Sequence, residues 1–137
     1  MAYGDRGGDT MTCQPVGEIK DGDAVTLCGN YKVKRCMCGD PVFGQAMEDA
    51  DHSVAEQPKI TIKISGIVTF PVADYQIVNE SKVNGRSGII GGDNGKIDVC
   101  AGDYNKKGVV VFYRDVTPPG LGRDLHCYGD QSVDVLL

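Results

Sequence analysis

Seven Gly-Asp dipeptides punctuate the chain, at Gly4-Asp5, Gly8-Asp9, Gly22-Asp23, Gly39-Asp40, Gly92-Asp93, Gly102-Asp103 and Gly129-Asp130. With 19 Gly and 15 Asp among 137 residues, about two such pairs would be expected from composition alone. Gly reaches positive φ and Asp hydrogen-bonds its own backbone, so each pair makes a compact turn at little cost. Most of the pairs border a short run of β-branched and aromatic residues, the pattern of an all-β domain. No run of ten or more residues carries a helical period.

Between the turns, short strands are predicted at Val16–Lys20, Ala24–Leu27, Tyr31–Cys38, Ile97–Cys100, Val109–Tyr113 and Ser132–Leu137. Lys59–Val72 is the clearest segment: Ile60, Ile62 and Ile64 alternate with Lys59, Thr61, Lys63 and Ser65. That period of two marks a half-buried strand, with Gly66 as its bulge or bend. Val109–Tyr113 (Val-Val-Val-Phe-Tyr) is expected to be buried on both faces, and Ser132–Leu137 to close a sheet. Gly85–Gly95 holds five Gly and is expected to be loop-rich. Residues 1–15 lack hydrophobic period and are expected to form an N-terminal arm, leaving 16–137 as a single β-domain. About eight short strands predict a small barrel or sandwich.

The Gly-Asp pairs raise the question of calcium. Residues Gly91–Asp98 have a superficial likeness to a calcium-binding β-roll repeat, but the pattern does not recur in tandem. The alternating carboxylates and terminal Glu of an EF-hand loop are also missing. The pairs therefore read as turns, and only Asp93 stays a candidate ion ligand. Cys36 and Cys38 form a Cys-x-Cys, with His126-Cys127 far downstream. Structural zinc sites favour two Cys-x2-Cys pairs. On an extended strand the two thiols share a face and pack equally well as small apolar groups. A small zinc- or thiol-dependent protein using Cys36, Cys38, His126 and Cys127 stands as an alternative. No nucleophile elbow, phosphate-cradling loop or dinucleotide fingerprint is present, so a non-enzymatic role without a cofactor is expected.

Net charge is −5, with Lys and Arg scattered. A nucleic-acid surface needs clustered cations to offset phosphate, and none is expected here. No stretch approaches the roughly 20 apolar residues of a membrane-spanning helix. Met1–Asp9 carries no apolar segment of the kind a secretion signal needs, which leads to the expectation of reduced thiols in a cytosol. An interaction role fits this profile, and Tyr3, Arg6 and Met11 are its candidate anchors, because aromatic, Arg and Met residues are enriched at interface cores.

The order of features from Gly39 to Val72 adds a resemblance. Gly-Asp-Pro-Val-Phe-Gly-Gln-Ala leads into an acidic loop, then into Lys-Ile-Thr-Ile-Lys-Ile-Ser-Gly-Ile-Val-Thr-Phe-Pro-Val, and the chain ends in Gly-Asp-Gln-Ser-Val-Asp-Val-Leu-Leu. This resembles the small β-rich head-decoration, or cement, proteins of tailed bacteriophages. The likeness spans mainly residues 22–72 and 125–137. Residues 85–124 and the cysteines have no counterpart in it. It implies a protein of the virion, assembled in the host cytoplasm and bound as a trimer or dimer to the capsid exterior, with the arm reaching onto the major capsid protein. A tail- or fibre-associated binding module is the neighbouring alternative.

Overall fold

The computed structural model describes residues 7–50, 59–73, 80–101, 106–115 and 131–137. They form ten strands: β1 (Thr10–Pro15), β2 (Ala24–Gly29), β3 (Lys32–Arg35), β4 (Gly44–Ala46), β5 (Ile60–Lys63), β6 (Ile67–Pro71), β7 (Ser87–Gly91), β8 (Ile97–Ala101), β9 (Val109–Asp115) and β10 (Gln131–Leu136). Among the described residues there is no α-helix, only 3-10 turns at Glu80–Lys82 and Asp93–Gly95. The fold is all-β, a small barrel with attached sheets.

The barrel closes in the order β1-β3-β2-β4-β5. Its seam is antiparallel, with Met11 opposite Ile62 and Cys13 opposite Ile60, while β1 runs parallel to β3. The barrel core holds Cys13, Val25, Val33, Ile60 and Ile62, each nearly or wholly removed from solvent. Burying an aliphatic side chain of this size contributes about 1.5–3 kcal/mol, so the alternation of Ile60 and Ile62 is enough to fix which way β5 faces. Within the expected arm, residues 1–15, lies a strand. Thr10–Pro15 is a barrel strand whose short alternation of Met11, Cys13 and Pro15 is masked by Thr and Gln neighbours. Asp9, just upstream of it, is also tied down: its N–H donates to Ser65 Oγ at 2.8 Å. Val16–Lys20 is not a strand; Ile19 makes only an isolated bridge to Ala50.

Lys59–Val72 divides in two at Gly66, where φ is +86°. Before it, β5 belongs to the barrel. After it, β6 enters a separate antiparallel sheet of order β6-β10-β9. The C-terminal strand is therefore central to this sheet rather than at its edge, pairing with both β6 and β9. The β7-β8 hairpin forms the third sheet. A second core joins the three: Phe70, Val133 and Val110 come from the three-stranded sheet, Ile89 and Ile97 from the hairpin, and Ala24, Cys36 and Val42 from the barrel segment.

The expectation of loop at Gly85–Gly95 is corrected at Ser87–Gly91, which is strand β7, because Gly88 and Gly91 serve close packing. A Cβ on Gly88 would lie 2.7 Å from Gly108 O, and one on Gly91 would lie 2.6 Å from Met37 O and 2.7 Å from Asp40 O. Strand β7 is glycine-rich because two neighbouring backbones press against it.

Candidate interaction surface

The register of the three-stranded sheet assigns its outer face. Leu136 lies between Ile67 and Val109. In the next row Asp134 lies between Thr69 and Phe112, and Thr69 Oγ1 donates to Asp134 Oδ1 at 2.6 Å. The inner face carries Val68, Phe70, Val110, Val133 and Val135. Between Val110 and Phe112 the pairing skips Val111, a bulge set against Asp134 and Val135. The bulge turns Val111 outward along with Phe112. Val111 is 41% and Phe112 51% exposed, with Val109 and Leu136 also exposed.

The expectation that Val109–Tyr113 is buried on both faces is thus corrected. Only Val110 is fully buried, because the strand packs on the core by one side alone. The result is a cluster of exposed apolar side chains on β9 and β10, and clustered rather than scattered exposure is what marks contact surfaces. Val83, Val111, Phe112 and Tyr113 line a groove of about 420 Å³ beside it.

A second apolar concavity, about 640 Å³, sits on the barrel and is lined by Met11, Leu27, Gly29, Asn30, Tyr31 and Phe43. Tyr31 ends the two-residue connection from β2 to β3. It is 69% exposed and holds φ +55°, a left-handed backbone that costs a non-Gly residue roughly 1–2 kcal/mol. Its carbonyl accepts Gln14 N–H at 2.7 Å, which fixes the tip against β1. Phe43 is held from behind: Lys107 Nζ donates to Phe43 O at 3.0 Å and lies 5.7 Å from the ring centroid. Burial pulls the Lys107 ammonium below its ordinary pKa.

Of the anchors named from sequence, Met11 is half-buried on β1 and faces this concavity. Tyr3 and Arg6 lie outside the described residues. The outer-face residues Val109, Val111, Phe112 and Leu136 were not among those anchors. The only signal for them was the unbroken apolar run itself.

The alternative chemistries look different once the side chains are placed. Cys36 is buried and Cys38 exposed, so they do not share a face. The chain leaves extended geometry after Arg35, where β3 ends. Burial, with Asp40 and Asp23 nearby, pushes the Cys36 thiol up to about 12. Such a thiol is a poor nucleophile near neutrality. His126 and Cys127 lie outside the described residues. Among the described residues no three or more His, Cys, Asp or Glu side chains are grouped to hold a metal ion.

Two of the Gly-Asp carboxylates, Asp23 and Asp40, are held by the fold. Asp23 Oδ2 accepts Lys20 N–H at 2.9 Å and Arg35 Nε at 2.8 Å. Asp40 Oδ2 accepts Met37 N–H at 2.9 Å. Gly8, Gly22 and Gly39 adopt positive φ, as turn glycines do. Gly92 instead is extended and precedes the Asp93–Gly95 turn, where Asp93 O accepts Lys96 N–H. No family model and no curated protein matches this chain.

Proposed function

We propose that the chain is a non-enzymatic binding protein that decorates the exterior of a phage head and stabilises it by bridging major capsid protein subunits. The observation that carries a binding role is the outer face of the β6-β10-β9 sheet, where Val109, Val111, Phe112 and Leu136 stay in water although the same strands bury Val110, Val133 and Val135. A partner surface that covers this patch gains apolar burial. The rigid tip at Tyr31 adds a second contact, and an exposed aromatic held in a strained backbone points to use of its side chain. The capsid as the partner is supported by the resemblance carried by residues 22–72 and 125–137. Repetition of modest contacts over a symmetric shell then supplies strength through avidity.

The test is direct. Purified protein added to mature capsids of the phage that encodes it should co-sediment with them and raise their rupture temperature. Val111→Asp with Tyr31→Gly should abolish attachment while the free protein keeps its far-UV spectrum. Absence of attachment by the wild-type chain to mature capsids would sink the capsid reading.

A further inference from the structure

The groove beside β9 has a charge that the rest of the chain lacks. The segments that frame it are rich in cations, with Lys82 and Arg86 in residues 80–86 and Lys106 and Lys107 in residues 106–113, against one acid, Glu80, on a chain of net charge −5. The fold brings these segments together. The 3-10 turn Glu80–Lys82 packs against β9. Lys106 Nζ donates to Arg86 O, and Lys107 pairs with Ile89 through two backbone hydrogen bonds. Lys107 itself is turned away toward Phe43, whereas Arg86 is exposed and Lys82 half-exposed. The floor is apolar: Val83, Val111, Phe112 and Tyr113.

Resting on the reading above that the chain is a binding protein, we propose that this groove takes an acidic segment of the partner protein, one that presents apolar side chains to Val111 and Phe112 and carboxylates to the Lys82–Arg86 rim. Charge selects this occupant over a second copy of the chain. A twofold pairing of two β9 faces would set Lys82 and Arg86 against their own copies, and like charges brought together oppose association. An acidic segment meets the local field with the opposite sign, and the acidic remainder of the protein repels it elsewhere, which orients its approach.

The probe is a fluorescein-labelled nonapeptide of alternating Glu and Val, compared with its Lys/Val counterpart, titrated with the full chain by anisotropy at low and high salt. The Glu peptide should bind at least tenfold more tightly than the Lys peptide and lose most of that advantage at high salt. The surface double variant Lys82→Glu/Arg86→Glu should invert the preference, and Val111→Asp should remove binding of the Glu peptide. Equal affinity for both peptides, or a Glu-peptide affinity unmoved by Lys82→Glu/Arg86→Glu, overturns the proposal. So does a concentration-dependent dimer in sedimentation that Val111→Asp dissociates, since the occupant is then a second copy. Capsid attachment measured on the same variants separates the two readings: if the double variant attaches normally, the acidic-segment proposal falls and the capsid role stands.

Discussion

Replacing Gly91 with Ala tests how the barrel is fastened to the rest of the molecule. Gly91 is buried in β7 and donates its N–H to Asp40 O at 2.7 Å, while Gly39 N–H donates back to Gly91 O at 2.9 Å. A Cβ at this position would lie 2.6 Å from Met37 O, 2.7 Å from Asp40 O and 3.1 Å from Cys36 Cβ. Two of these atoms are backbone carbonyls, and the Met37 carbonyl is itself engaged by Asp40 N–H at 3.0 Å. The turn cannot absorb a methyl group by rotating a side chain. It must move as a unit away from β7. Overpacking of this kind costs about 1–3 kcal/mol, and stretching a buried N–H···O bond adds about 1 kcal/mol or more. The lower entropy of unfolded Ala returns about 0.4–1 kcal/mol.

The net expectation is a loss of about 1–4 kcal/mol, read as a lower urea midpoint at unchanged slope. In a thermal scan this is a fall of about 10 °C for a domain of this length. Gly22→Ala is the comparison. It has open space for a Cβ but φ +93°, so it should lose only about 1 kcal/mol from the left-handed backbone. A Gly91→Ala protein within about 0.5 kcal/mol of wild type would falsify the docking of the Gly39-Asp40 turn onto β7.

Two further outcomes follow from the same structure. Removing residues 1–12 deletes Thr10, Met11 and Thr12 from their pairing with Lys63, Ile62 and Thr61 and should open the barrel seam, seen as a lower unfolding midpoint and fast amide exchange in β5; an unchanged midpoint would contradict the closed barrel. Cys36 stays neutral in the fold up to about pH 12 but ionises near 9.0 once unfolded, so the unfolded state releases its proton first and stability falls as pH rises across that window; relative to Cys36→Ala, the wild type should lose about 1.4 kcal/mol per pH unit there, and parallel pH profiles of the two proteins would contradict a buried neutral thiol.

What could be read in the sequence was whatever depends on neighbours along the chain. The alternation of Ile60 and Ile62, the break at Gly66 and the turns at Gly22-Asp23 and Gly39-Asp40 are local, and all are found. What could not be read depends on distant partners. Gly88 and Gly91 look like loop glycines until Gly108 and Met37 are brought against them. Thr10–Pro15 looks like an arm until β5 and β3 pair with it. Cys36 and Cys38 share a face only if β3 continues to residue 38, and it ends at Arg35.

The candidate surface was missed for a related reason. An unbroken run such as Val109–Tyr113 describes two situations equally well: a strand covered on both sides by its own domain, and a strand covered on one side with the other turned outward. Residue type cannot separate them, because apolar side chains have the same pattern whichever molecule covers them. The sheet order does separate them. With β10 in the middle and β9 last among the described strands, only the inner face meets the hairpin core. The bulge at Val111 then decides how much is exposed, since one skipped residue puts both Val111 and Phe112 outside. Long edge strands are commonly protected by bulges and flanking lysines, and β9 has both. Those devices discourage indiscriminate strand addition, yet here they leave the apolar side chains exposed. A surface that only avoided aggregation would carry polar residues at Val109, Val111 and Phe112. Keeping them apolar makes sense for a face that is selective about what it buries.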